Sequence, residues 1–599
     1  MARLTSKTGH LAPITLCAGL GLLLCSYANA LSRQLLHPTE LILWAGVLLI
    51  VLPIGYRLTS RDAPPRERLL LVCLLGLTLY GVKVVRDAPI FSFSDEVVHL
   101  FNADQIAAQH HLFHYNPILP VTPSYPGLEG ATSALMTITG LSGYWAGGVV
   151  VGAAKVTLLA ALFFLFHRVG GSARTAGLAA MIYAANFNFL YWGSQFSYES
   201  LSLPLFVVVL MAVAERGATP RSWTRDWAVP IVLGTSAIVV THHLTSYALA
   251  AFLAGLALAY WLVKRDWSWP NPWPYAALTA GLASIWLLLV ANSTFGYLSP
   301  VLGEAFKAIL HTATGEEPPR GIFQGKGPAA PSTPVLARAV AVFAVGLLFA
   351  GLPFGLKRLW RQQRRNPFAL VFGVAAIAFF TTLALRLAPS AWETGNRAGE
   401  FLFIGLAFVL AGAGLQNWAP RRRPWAGRAL LTAALGVVIV GGAISGWPWD
   451  LQLASPVRAS AEGKTISSPS LALAEWARKE TPPDARFGAQ LADARLLLAP
   501  GDRIAFAGKN PDIQDMLLEL AFSRQSWEKP LLRENGIHYI VTDGRQISLD
   551  ATRGYGFSEE GEETIEDAPI AIGKFAQLPG AKRIYSSGDI VVYELGGGL

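Results

Sequence analysis

The feature that most constrains this chain is a repeated one. Runs of about 20 apolar residues with almost no charge recur from residue 11 to residue 447, and a helix of that length spans the hydrocarbon core of a bilayer. The spacing predicts spans near 11–30, 40–56, 69–85, 144–166, 174–193, 200–215, 228–244, 246–263, 275–295, 335–356, 367–387, 400–416 and 429–447. The fold class expected is therefore an α-helical polytopic membrane protein of about thirteen transmembrane helices. Residues 1–449 form the membrane domain and residues 450–599 a C-terminal α/β domain in water.

Charge supports that division. Only 15% of the residues are charged, against about 25% in soluble domains, and the deficit lies before residue 450. A net charge of +9 would suit nucleic acid, but the basic residues sit in short clusters between apolar runs, so no nucleic-acid partner is expected. With a cytoplasmic N-terminus, "YRLTSRDAPPRER", "KRLWRQQRRNP" and "NWAPRRRPWAGR" all fall on the inner side, as the positive-inside bias requires. The long loops 86–143 and 296–334 and the C-terminal domain then lie outside. The first run could be read as a signal peptide ending at "YANA", but its length favours an uncleaved span. Trp145, Tyr191, Trp192 and Trp447 at span ends suit interfacial belts. Cys17, Cys25 and Cys73 all lie in apolar runs, so the aqueous domain has no disulfides of its own.

In the aqueous part, "SPSLALAEWARKETPP", "DIQDMLLELAFSRQ" and "WEKPLLRENG" have helical patterns, and "IHYIVTDG" and "DIVVYEL" read as strands. The loop 296–334 carries a surface-helix pattern, "PVLGEAFKAILHTA", then a Gly/Pro-rich stretch. No phosphate-cradling Gly loop, metal-ligand spacing or nucleophile elbow is present in the C-terminal part.

The residues able to carry chemistry cluster in "FSFSDEVVHLFNADQIAAQHHLFHYNP", residues 91–117. Asp95 and Glu96 are adjacent carboxylates just beyond a span. A carboxylate at the lip of a membrane cavity can act as general base for a hydroxyl. His99, four residues on, shares a helical face with Asp95, and the pair could help to hold a divalent cation such as Mg or Mn. Equally, the acidic pair could cap a helix N-terminus. His110, His111 and His114 make no zinc pattern with His99.

A multi-span chain with an acidic pair in its first large outer loop, Asp95-Glu96, further long outer loops and an outer C-terminal domain resembles the GT-C superfamily of membrane glycosyltransferases, which use polyprenyl-phosphate-linked sugars. The resemblance implies that Asp95 is the catalytic base, or a ligand where a metal is used, with Glu96 as its partner. Three spans precede the loop where many members have one. No Trp-Trp-Asp motif occurs, which argues against an oligosaccharyltransferase.

Ionisable groups at membrane depth usually face a cavity. Lys155 lies mid-span and either binds a lipid phosphate or pairs with a carboxylate. Glu199, the pair His242 and His243, and Arg397 with Glu400 fall at three turns on the expected outer side, with Asp95. Arg397 suits the donor phosphate because a guanidinium grips phosphate oxygens in pairs. Its alternative is an ion pair with Glu393 or Glu400. Glu199, His242, His243, His99 and Glu400 are candidates for substrate binding, each with a structural alternative. The function expected is transfer of a sugar from a polyprenyl-phosphate donor to a glycan, lipid or protein acceptor at the outer face of the cell membrane. A polysaccharide polymerase or ligase using a lipid-linked oligosaccharide, and a transporter or lipid-linked-sugar flippase, are the rival readings.

Overall fold

The computed structural model describes residues 9–34, 39–217, 227–268, 270–314, 321, 323, 333–388, 391–413, 424–447, 449, 452–453, 466, 468–507, 513–518, 527–544 and 572–596. Three helices, α1 (Leu11–Arg33), α2 (Thr39–Thr59) and α3 (Pro65–Asp87), lead to two helices of the first long loop, α4 (Ser94–Gln109) and α5 (Gly127–Thr139). Then follow α6 (Gly143–Gly170), α7 (Ala173–Tyr183), α8 (Tyr198–Arg216), α9 (Ala228–Thr241), α10 (His243–Lys264) and α11 (Trp273–Leu289). The bundle ends with α12 (Ser293–Thr314), α13 (Val335–Gln363), α14 (Pro367–Leu385), α15 (Trp392–Ala413) and α16 (Pro424–Gly446). One apolar core runs through it from Ile14 to Leu453. Leu16, Leu23, Ile285, Leu289, Phe343 and Phe354 instead face outward, as side chains in contact with lipid do.

The helical membrane class is as expected, but four of the runs are not simple crossings. Among the described residues nine helices are long and apolar enough to span a membrane. The run 174–193 contains only the 11-residue α7, about 16 Å long at 1.5 Å per residue. The run 228–244 yields the 14-residue α9, which stops where the backbone of His242 turns extended. The run 275–295 is broken, with α11 and the start of α12 meeting at 103°. The run 400–416 belongs to α15, whose first turns hold Glu393, Arg397 and Glu400. Composition marks a segment as apolar but does not say whether its backbone stays helical.

The chain after α7 is the main irregularity. Residues 184–197 are non-helical apart from one short turn, and nearly all are buried. Non-helical backbone at membrane depth is tolerated only where protein surrounds it. Here α16 presses against it through Gly442 and Gly446. A Cβ on Gly442 would lie 2.0 Å from the Ala185 carbonyl oxygen, and one on Gly446 only 1.6 Å from that of Phe187. The spacing is that of a small-xxx-small packing motif. Tyr191 and Trp447, expected at an interface, are interior instead. They are 1% and 6% exposed, with ring centroids 6.4 Å apart.

The C-terminal part folds as α17 (Ser468–Glu480), β1 (Arg486–Gly488), α18 (Leu491–Leu498), β2 (Ile504–Phe506), α19 (Ile513–Leu518), α20 (Glu528–Glu534), β3 (Tyr539–Asp543), β4 (Lys582–Ser587) and β5 (Ile590–Glu594). The sheet order is β2-β1-β3-β5-β4. β1 runs parallel to β2 and β3, while β5 is antiparallel to β3 and β4. The segments "IHYIVTDG" and "DIVVYEL" contain β3 and β5, and the three helical patterns contain α17, α19 and α20. The end of the second pattern and most of the Gly/Pro-rich stretch of loop 296–334 lie outside the described residues. The surface-helix pattern of that loop falls within α12. Leu498 and Ala499 at the end of α18 pack on Val97 and Phe101 of α4. The C-terminal α/β part thus rests on the helix that bears Asp95.

Candidate active site

The acidic pair divides its work. Phe93 is the N-cap of α4, which makes Asp95 the second helical residue and Glu96 the third. A glutamate at that position folds back onto the free N–H groups of the helix start. Glu96 Oε2 accepts from the N–H groups of Ser92 and Phe93 at 3.2 and 3.1 Å. Its Oε1 accepts from Phe196 N–H at 2.9 Å and pairs with Lys83. Glu96 is wholly buried and its oxygens are engaged by protein. Asp95 takes no part in this capping. It is half-buried and lies within Coulomb range of Tyr198 and Glu199.

His99 does not pair with Asp95. Its Nδ1 lies 2.6 Å from Glu129 Oε1 of α5, and its ring meets Tyr198 edge-on at 4.5 Å. Tyr198 stacks on His242 at 4.6 Å, and His242 stands 5.1 Å from His243. The two histidines sit at the α9–α10 break, where the extended backbone of His242 ends one helix and starts the next. His242 Nδ1 is held 2.8 Å from Thr245 Oγ1. Its Nε2, and Nδ1 of His243, are buried without a hydrogen-bond partner.

Arg397 completes the cluster. It donates from Nη1 to Glu199 Oε2 at 2.9 Å, and from Nε and Nη2 to Glu393 Oε1 at 3.0 and 2.8 Å. Of the two ion pairs open to it on its own helix, the one formed is with Glu393. Its guanidinium also covers the Trp192 ring at 5.6 Å. A cavity of about 220 Å³ opens beside it, lined by Tyr198, His242, His243, Tyr297, Glu393 and Arg397 among others.

Lys155 and Glu400 lie deeper, each 2% exposed and away from that lining. Lys155 Nζ donates to the Phe189 carbonyl at 3.1 Å and sits over the Phe189 ring. A Cβ on Gly193 would lie 3.3 Å from both Lys155 Nζ and Glu400 Oε1, so the two charges flank that glycine. Asn188 also faces Glu400. In this arrangement Lys155 is placed to offset the charge of Glu400, whose carboxylate oxygens are buried without a hydrogen-bond partner, and neither residue lines the cavity. Glu129 and the central packing of Tyr198 were not singled out from sequence. Glu129 is the lone acid of a short, otherwise apolar stretch, "YPGLEGATSALMTIT", and that is its one sequence signal.

Among the described residues no three of His, Cys, Asp and Glu are grouped to hold a metal ion. Of the expected Asp95–His99 pair, His99 has its Nδ1 engaged by Glu129, which leaves Nε2 as the nitrogen able to reach a ligand. Outside the spans, Asp104 of α4 is an acid shifted upward: burial and then the nearby Asp502 push its carboxyl up to about 7.

No protein-family description matches the sequence, and no curated protein matches it. Solved structures do match. An oligosaccharyltransferase of Archaeoglobus fulgidus, solved in complex with Zn and sulfate, is 13% identical with a TM-score of 0.52, over 85% of this chain and 71% of that one. The arabinofuranosyltransferase AftD of Mycobacteria is 14% identical with a TM-score of 0.53, over 90% of this chain and 42% of that one. ArnT of Cupriavidus metallidurans, bound to undecaprenyl phosphate, is 16% identical with a TM-score of 0.49, over 88% and 98%. The chain has the fold of the GT-C glycosyltransferases.

Proposed function

We propose that this chain, with its GT-C fold, is a membrane glycosyltransferase that moves a sugar from a polyprenyl-phosphate donor to a hydroxyl of a glycan, lipid or protein acceptor. The observation that carries the reading is the meeting of Arg397, Tyr198, His242 and His243 around one cavity, with Glu199 behind Arg397 and Asp95 within Coulomb range. Polar groups at membrane depth are costly and mark ligand sites. The positive-inside pattern of the loops supports a cavity at the outer face, with the N-terminus cytoplasmic and the C-terminal domain outside.

In the mechanism, the donor enters from the lipid and Arg397 grips its phosphate with paired N–H groups. Asp95 takes the proton of the acceptor hydroxyl as that oxygen attacks the anomeric carbon. The bond from that carbon to the phosphate oxygen breaks, and polyprenyl phosphate leaves with the electron pair. Single displacement inverts the anomeric centre. Holding the leaving phosphate's charge in a water-poor site is the main electrostatic task. Glu96 positions the start of α4 and so Asp95, and Lys155 keeps Glu400 charge-balanced. Among the described residues no three of His, Cys, Asp and Glu gather around Asp95, and each step above uses a protein group.

The test is Asp95→Asn in proteoliposomes supplied with polyprenyl-phosphoryl sugars. Loss of transfer with an unchanged melting temperature is expected. Wild-type transfer by the folded variant overturns the role of Asp95. Movement of the lipid-linked sugar without covalent product would favour the flippase reading. Transfer only from a lipid-linked oligosaccharide would favour the polymerase reading.

A further inference from the structure

A second cavity shares no lining residue with the one beside Arg397. From it we infer that the groove between α2, α13 and α16 binds a glycerophospholipid whose head group carries an ammonium. The groove, about 610 Å³, has α16 as its floor, through Val437 and Val440, and α2 and α13 as its walls. Leu41 and Leu336 on those walls are 61% and 69% exposed, so the groove opens where side chains meet lipid. The site is separate from sugar transfer and does not rest on the glycosyltransferase reading.

Four residues of α2 line the groove at intervals of four: Glu40, Trp44, Leu48 and Leu52. Residues so spaced are neighbours on one helix face, and the stripe is about 18 Å long at 1.5 Å per residue. Along it the chemistry passes from a carboxylate to an indole and then to hydrocarbon alone. Trp44 is 8% exposed, and its Nε1–H is buried with no hydrogen-bond partner. An unpaired N–H is expensive where no water reaches it, and a ligand's acceptor removes that cost. Among the described residues Glu40 has no ion-pair partner. A phospholipid offers its groups in the matching order. Its ammonium meets Glu40, an ester carbonyl accepts from Trp44 about one turn deeper, and an acyl chain lies along Leu48, Leu52, Val437 and Val440. Polyprenyl phosphate is the poorer match, because it brings an anion to Glu40 and has no ester carbonyl for Trp44. On the positive-inside topology Glu40 starts α2 at the outer face, so the lipid comes from the outer leaflet.

The test is native mass spectrometry of the full-length protein in detergent, titrated with dioleoyl phosphatidylethanolamine, dioleoyl phosphatidylglycerol and farnesyl phosphate. The wild type is expected to bind the ethanolamine lipid about fivefold tighter than the glycerol lipid, the scale of one exposed ion pair. Glu40→Gln should remove that preference in a protein of normal melting temperature. Trp44→Phe should weaken both phospholipids about fivefold, through the ester contact they share. Ala433 is exposed on the groove floor, and Ala433→Phe should weaken both by filling it. Neither of these two variants should change the farnesyl phosphate Kd. Equal binding of the two phospholipids by the wild type, or a preference that survives Glu40→Gln, overturns the site and leaves ordinary lipid contact. Displacement of the ethanolamine lipid by farnesyl phosphate also overturns it and assigns the groove to a polyprenyl chain.

Discussion

Arg397 and Glu199, 198 positions apart in the chain, are joined by a hydrogen-bonded ion pair of 2.9 Å. The glutamate is 3% exposed at the start of α8, so the guanidinium is held from inside the bundle and turned toward the cavity. Arginine's fork makes three such bonds at once, to Glu199 and Glu393, and a lysine ammonium cannot copy that geometry. Arg397→Lys is expected to lower kcat/KM for transfer by about a hundredfold, the scale of one lost contact to a developing charge. Steady-state kinetics with a thermal melt checks this. Unchanged kinetics would remove Arg397 from the donor site.

Glu393 competes with the donor phosphate for the same N–H groups. Its side chain is 41% exposed, so it lies at the rim and can be displaced, whereas Glu199 stays. Exposed pairs of this kind are worth up to about 1 kcal/mol. Glu393→Gln should therefore tighten farnesyl phosphate binding by about fivefold, read by titration. Weaker binding in the variant would mean that Glu393 helps to hold the ligand.

Glu96 and Asp95 are neighbours with opposite expected phenotypes. Removing Glu96 leaves Lys83 buried without its partner and three N–H groups without an acceptor. Breaking a buried pair in this way costs about 3–5 kcal/mol, so Glu96→Ala should lower the melting temperature sharply and reduce folded yield. Asp95→Asn should melt as the wild type does. Equal stability of the two variants would contradict this division of labour.

The contact of α16 with the irregular segment leaves no room for a side chain. With a Cβ only 1.6 Å from the Phe187 carbonyl oxygen, Gly446→Ala forces the backbone of residues 184–197 to move. Overpacking typically costs about 1–3 kcal/mol, and rigid backbone on both sides puts this case at the upper end. The measurement is thermal stability by size-exclusion chromatography. An alanine variant that melts normally would show that the segment yields freely.

The docking of α18 on α4 should weaken as pH rises. Asp104 has its carboxyl pushed up to about 7 by burial and by Asp502, from an ordinary value of 3.8. Gln105, its neighbour on α4, donates to Asp502 at 3.4 Å, and Asp104 Oδ1 also abuts the start of α6 at Gly143. Between those two values the folded protein binds this proton more readily than the unfolded chain does. The contribution of the site to stability therefore falls as pH climbs through that window and stays low above it. The melting temperature of Asp104→Asn relative to the wild type should rise between pH 4 and pH 7 and level off above it. A constant difference would assign the carboxylate no role in docking.

The local features of this protein could be read directly. Membrane crossing depends on the length of an apolar run, and α1, α2, α3, α6, α13 and α14 lie where composition puts them. The strands β3 and β5 and the helix α17 followed from periods of two and of 3.6 residues. The charge of the loops predicts that Asp95, Glu199, His242 and Arg397 share one side of the membrane.

What only the tertiary structure decided was continuity and partnership. The run 174–193 is apolar enough to span, yet it stops as a helix at Tyr183 because Gly442 and Gly446 of a distant helix accept the bare backbone that follows. Adjacent acids of equal chemistry, Asp95 and Glu96, took separate roles because Lys83 and the Phe196 N–H converge on one of them alone. His99 turned to Glu129 and Arg397 to Glu199 for the same reason. Periodicity and charge describe what a segment exposes, whereas a contact between remote residues depends on how helices pack, and that is a property of the whole bundle.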